Sequence, residues 1–109
     1  MGWTSYYRDD NESDAEHIQR QVLGSRNEIV ESATVGTTFY AAVRVKETGE
    51  TFGLVVLQER ADGEYAYKAM GEDEGPYYFD CPVRVLDALT PTDNETANGW
   101  REACRKRAA

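Results

Sequence analysis

Between residues 28 and 70, apolar and polar positions alternate with a period of two, the spacing of strands buried on one face. Ile29, Glu31, Ala33 and Val35 alternate with Glu28, Val30, Ser32 and Thr34, which predicts a weak strand. Phe39, Ala41, Val43 and Val45 alternate with Tyr40, Ala42, Arg44 and Lys46, a clearer one. Phe52, Leu54 and Val56 carry the apolar face into a third strand; the extra apolar residues Val55 and Leu57 predict that it is central and partly covered on its second face. Tyr65, Tyr67 and Ala69 alternate with Ala66, Lys68 and Met70 in a fourth. Glu47-Thr48-Gly49-Glu50 and Asp62-Gly63 supply turns. Together these segments predict a four-stranded antiparallel meander.

On either side of the meander the period lengthens to that of helices. Ser13 and Glu16 form a capping box, Ala15, Ile18 and Val22 make one apolar stripe, and Gly24 is a natural stop, which predicts a helix over 14–23. Pro82 suits the first turn of a second helix, with Cys81 or Asp80 as its cap and Val83, Leu86 and Leu89 or Val85 as its buried stripe. Thr90-Pro91 ends it. A second capping box at Thr92 to Glu95, followed by Ala97, Trp100 and Cys104, predicts a last helix over 93–107. Gly99 weakens that helix and is expected to allow close packing near Trp100. Trp3, Tyr6 and Tyr7 point to a docked N-terminus, as an edge strand. The predicted fold is α+β: an N-terminal helix, a four-stranded antiparallel meander and a C-terminal helical hairpin packed on the sheet, in two layers.

With 109 residues, 40% hydrophobic and 11% aromatic, the chain reads as a single globular domain spanning 1–109. No apolar run is long enough to cross a bilayer, and Met1 to Asp10 has neither a basic start nor an apolar core. A cytoplasmic location and no membrane partner are expected. Net charge is −8, with +3 on residues 101–109 and −11 on the rest. Asp9, Asp10 and Glu12 belong to one acidic cluster, and Glu72, Asp73 and Glu74 form another. Such a body repels phosphates and anionic lipid, so direct nucleic-acid binding is disfavoured. The basic last helix, around Arg101, Arg105, Lys106 and Arg107, is the one feature that favours a nucleic-acid adaptor.

Chemistry-bearing residues are few. A short antiparallel hairpin spans roughly 12 Å from Cys81 to Leu89 and about 15 Å back to Cys104, at 1.5 Å per residue, which brings the two thiols to one level. They read first as small buried hydrophobes, second as a redox-sensitive pair with Cys81 favoured as thiolate by a helix N-terminus. With His17, the lone histidine, they make a poor zinc signature. No cofactor is expected, and no catalytic order can be built on one histidine. Tyr77, Tyr78 and Phe79 either pack their loop onto the sheet or present aromatic anchors to a partner. If no helix covers Tyr40, Val55 and Leu57, that face becomes a homodimer contact.

The opening Met1-Gly2-Trp3-Thr4 and the block Gly75-Pro76-Tyr77-Tyr78, Cys81-Pro82, Leu89-Thr90-Pro91-Thr92, Trp100-Arg101 and Cys104 resemble short, uncharacterised proteins of bacteriophages, prophages and plasmids. The resemblance covers the first eight residues and the last thirty-five or so. It implies a mobile-element accessory protein, a class that includes inhibitors of host defence, some of them nucleic-acid mimics. The expected function is non-enzymatic: binding of a host or defence protein with a basic surface. Asp9, Asp10, Glu12, Glu72, Asp73 and Glu74 supply charge in that reading, and Tyr77 and Tyr78 anchor. The alternative is a small thiol-redox or metal-binding domain centred on Cys81 and Cys104.

Overall fold

The computed structural model describes residues 4–7, 14–58, 64–71, 73, 75 and 77–108. Five strands form one antiparallel sheet: β1 (Thr4–Tyr7), β2 (Asn27–Val35), β3 (Thr38–Val45), β4 (Thr51–Gln58) and β5 (Glu64–Met70). Their spatial order is β1-β5-β4-β3-β2. The four strands from β2 to β5 are those the alternation predicts, and β1 adds a fifth at the edge beside β5, with Thr4 opposite Tyr67. Gly36 and Gly49 take φ of 61° and 77° in the two tight turns, where a side chain would be strained.

β3 lies at the middle and is buried on both faces from Thr38 to Val43. Phe39 pairs with Val56, Ala41 with Leu54 and Val43 with Phe52, all on one face. Tyr40 pairs with Val55 on the other, where Ala42 and Met70 join them. A β-bulge between Ile29 and Glu31 breaks the alternation in β2. It sends Ile29 to the face of Val43 and Ala33 to the face of Tyr40, so residues that the sequence places on one side lie on opposite sides. Gly53 sits close under Met70: a Cβ there would lie 2.8 Å from Met70 Cε, the flexible end of that side chain, so a larger residue asks Met70 to shift.

The predicted architecture is corrected in three respects. First, no regular N-terminal helix opens the fold. The described chain begins with β1, and only Asp14–Ile18 (α1) is α-helical before a π-turn at Gln19–Leu23. The widened turn closes with Gly24 N–H on Gln19 O at 3.1 Å and frees the Gln19 side chain to leave the helix line. Second, the helical hairpin is reduced. A 3-10 turn (Tyr78–Asp80) and the single turn α2 (Val83–Leu86) precede one 14-residue helix, α3 (Glu95–Ala108). Its N-cap is Asn94, whose Oδ1 accepts from Ala97 N–H at 2.8 Å, rather than Thr92. Third, there are three layers instead of two. Ile18 and Leu23 cover the face of Phe39, Ala41 and Val43, while Tyr78, Val85, Leu89 and Trp100 cover the face of Tyr40 and Val55. The face proposed for a homodimer is therefore occupied by the chain's own C-terminal segment. The stripe Ala97, Trp100 and Cys104 is buried as predicted, but a Cβ on Gly99 would meet nothing within 4 Å, so this glycine serves no close approach.

Candidate functional site

The C-terminal covering layer begins with Tyr78, and Tyr78 is held on every side. It is fully buried, its ring stands edge-on to Trp100 at 5.3 Å, and its hydroxyl donates to Asp73 Oδ1 at 2.8 Å. Lys68 projects from β5 onto the same face, with its Nζ 5.3 Å from the Tyr78 ring centroid and paired with Asp73 Oδ2. Its side chain is 9% exposed and that of Asp73 41%. The Lys68 ammonium beside Asp73 holds the carboxyl below its usual range, and the same bond raises the Lys68 pKa. Burial raises the Tyr78 phenol. The Trp100 indole N–H donates to Gly71 O at 3.2 Å and ties α3 to the start of this segment.

Tyr77, next in line, behaves differently. It is 41% exposed, while the Tyr40 hydroxyl donates from beneath to its carbonyl oxygen. Gly75 O accepts from Tyr78 N–H at 3.0 Å, and a Cβ on Gly75 would press on the Tyr78 ring at 3.2 Å. The backbone that presents Tyr77 is thus fixed on both sides.

The two thiols lie in the same core cluster as Tyr78 and Trp100, both free and both buried. Cys104 Sγ donates to Tyr78 O at 2.9 Å, and Cys81 Sγ lies 3.8 Å from Pro82 O. Burial, with Cys104 nearby, pushes the Cys81 thiol up to about 12, and burial raises Cys104 as well. The expected dipole activation fails because α2 has four residues, and desolvation outweighs it. Both sulfurs stay protonated near neutral pH, which makes them poor nucleophiles. No group of three or more His, Cys, Asp or Glu among the described residues could hold a metal ion.

The predicted binding residues therefore separate. Asp73 is drawn into the Lys68–Tyr78 network, and Tyr78 is a core residue rather than an anchor. Tyr77 meets solvent as expected, and the Asp73 side chain, though paired, is exposed to a similar degree. Asp9, Asp10, Glu12, Glu72 and Glu74, and the side chain of His17, lie outside the described residues. The basic end of α3 is largely matched within the fold: Arg105 with Asp87 at 2.7 Å, Lys106 with Glu102 at 3.3 Å and Arg107 with Asp80 at 3.1 Å. That pairing weakens the case for a nucleic-acid adaptor. Sequence reasoning missed Lys68, although its parity with the buried Ala66 and Met70 marks it as a lysine on an inward face in need of a carboxylate. No helix among the described residues is long and apolar enough to cross a membrane. No family model, curated protein or solved structure matches this chain.

Proposed function

We propose that this protein acts by binding, as a small acidic accessory protein that occupies a basic surface on a host or defence protein in the bacterial cytoplasm. The observation that carries the reading is Tyr77: an aromatic residue that is 41% exposed while its backbone is pinned by Tyr40 and framed by the buried Tyr78. Rigid presentation lowers the entropy lost when such a residue enters a partner's pocket. The stretch Glu72-Asp73-Glu74 lies immediately before it in sequence, within a chain of net charge −8, which steers encounters toward basic partners. The resemblance to phage and plasmid proteins supplies the cellular setting. The thiol-redox alternative is weaker, because burial keeps both sulfurs protonated.

The test is affinity capture from bacterial lysate at low and high salt, read by mass spectrometry. Three baits are compared: the native chain, Tyr77→Ala, and a chain with lysine at Asp9, Asp10, Glu12, Glu72 and Glu74. A stoichiometric partner retained only at low salt, weakened by both variants, supports the reading. A partner bound equally by all three baits would overturn it, as would the absence of any partner.

A further inference from the structure

A cleft of about 510 Å3 lies between the turn after α2 and the outer side of α3. Leu86, Leu89 and Pro91 give it apolar walls, and Asn98, Arg101 and Arg105 line its polar side. Its charges are unevenly satisfied. Arg105 is matched by Asp87, and Glu102 by Lys106. Arg101 pairs with no carboxylate among the described residues.

The three nitrogens of the Arg101 guanidinium differ. Nη1 donates to Thr90 O at 3.0 Å, and Nε is buried with no hydrogen-bond partner. Nη2 has no hydrogen-bond partner among the described residues. The guanidinium carbon lies 5.6 Å from the Trp100 ring centroid, a contact that helps to orient the group. A partly desolvated cation with an orphaned donor favours an anion, because buried polar groups are nearly always satisfied. Nε and Nη2 form the edge of a guanidinium that matches the two oxygens of a carboxylate.

We propose that this cleft binds a carboxylate carrying a short apolar group. The carboxylate docks on Nε and Nη2 of Arg101, and the apolar group lies against Leu86, Leu89 and Pro91. Docking requires a small swing of the Arg101 side chain about its contact with Thr90, since Nε is buried. Asp87 and Glu102 at the rim select for a single negative charge. The site is independent of the proposed binding through Tyr77, and its failure would leave that reading untouched.

The experiment follows the arginine Nε–H signals in proton–nitrogen NMR spectra while the intact protein is titrated with hexanoate, with hexanamide, and with acetyl-Ala-Ala-Leu bearing a free or an amidated C-terminus. Hexanoate is expected to shift the Arg101 signal saturably with a Kd of about 1 mM, while hexanamide and the amidated peptide leave it in place. Tighter binding of the free peptide identifies a protein C-terminus as the source of the carboxylate, and tighter binding of hexanoate a free organic acid; both outcomes support the site. Arg101→Lys keeps the charge but loses the fork, and should weaken binding about 10-fold or more. Glu102→Gln, on the exposed side of α3, removes a rim carboxylate and should tighten binding about 3-fold, which tests the site in a chain whose core is intact. Equal response to acid and amide overturns the proposal, as does an Arg101 signal that never saturates or an affinity indifferent to both substitutions.

Discussion

The Tyr40 hydroxyl, on the central strand, donates to the main-chain carbonyl of Tyr77, the most exposed aromatic residue described in the C-terminal layer. A side chain that is itself 1% exposed therefore sets the position of an exposed one across 37 residues of sequence. Removing the hydroxyl without changing the ring separates packing from positioning. Tyr40→Phe leaves the Tyr77 carbonyl short of a donor and is expected to cost about 1–2 kcal/mol in urea unfolding. It should also weaken capture of a partner that Tyr77 anchors, although Tyr77 is unchanged. Full retention of stability would show that water or another donor replaces the phenol.

The Lys68–Asp73 pair makes a prediction about acid. The folded Asp73 pKa lies below its ordinary value, so its contribution is present above that ordinary value of about 3.9 and is lost as pH falls through the depressed one. Asp73→Asn should lower stability near pH 7 by about 1–3 kcal/mol, because it strands a largely buried ammonium; the exposure of Asp73 keeps the figure modest. The penalty should shrink toward zero as pH is lowered through the acid transition. Lys68→Met, which leaves only a part-exposed carboxylate behind, should cost less than Asp73→Asn at pH 7. Chemical unfolding of both variants across pH 2–8 checks the sign and the order, and the reverse order would rule out a desolvated lysine as the cause.

How far the sequence foretold this molecule depends on which interactions are local. Strands β2 to β5 were legible because period-two patterning is a local property, and the Ala97–Trp100–Cys104 stripe was legible for the same reason. The bulge at Ile29–Glu31 was not, because nothing local forces one residue out of register; the Ile29 N–H there donates to the side chain of Gln19, ten residues earlier. The role of Tyr78 was hidden by its neighbours. Three aromatics in a row carry no parity, and only the meeting of Lys68, Asp73 and Trp100 shows which ring turns inward. Arg101 read only as part of a basic helix face, since an arginine on an amphipathic helix ordinarily faces water, and its contacts with Thr90 and the cleft are long-range.

Gly99 offers a stabilising change. It lies in the interior of α3, exposed, with nothing for a Cβ to meet. The helix thus bears the conformational cost of glycine with no packing in return. Gly99→Ala should raise stability by about 0.5–1 kcal/mol, seen as a rise in Tm of roughly 2–6 °C. The helix content measured by circular dichroism should not fall. A loss of stability would mean that the helix bends at this residue or that the site contacts something else.

The outer edge of β2 is closed by side chains, and this yields the last prediction. Edge strands leave main-chain donors and acceptors open to pairing with another chain. Here Gln19 Oε1 accepts from Ile29 N–H at 3.0 Å, and Gln19 Nε2 donates to Asn27 O at 2.7 Å and to Gly24 O at 3.0 Å. Farther along, Ser32 N–H donates to Glu31 Oε1 at 3.1 Å, and Arg84 Nη2 donates to Ser32 O at 2.8 Å. The π-turn is what brings Gln19 to the edge, so the irregular helix and the guarded strand are one device. Val30 and Val35, both exposed on this strand, would strengthen any edge-to-edge contact once the guards are gone. Gln19→Ala should cost about 1–3 kcal/mol, since it opens three hydrogen bonds, whereas Arg84→Ala, more exposed, should cost under about 1 kcal/mol. The double variant should self-associate with rising concentration in sedimentation velocity under conditions where each single variant does so less and the native chain least. Adding Val35→Lys should reverse the effect, because a charge on an exposed edge opposes pairing. Association unchanged by the double substitution would mean that the twist of the sheet, rather than these side chains, protects the edge.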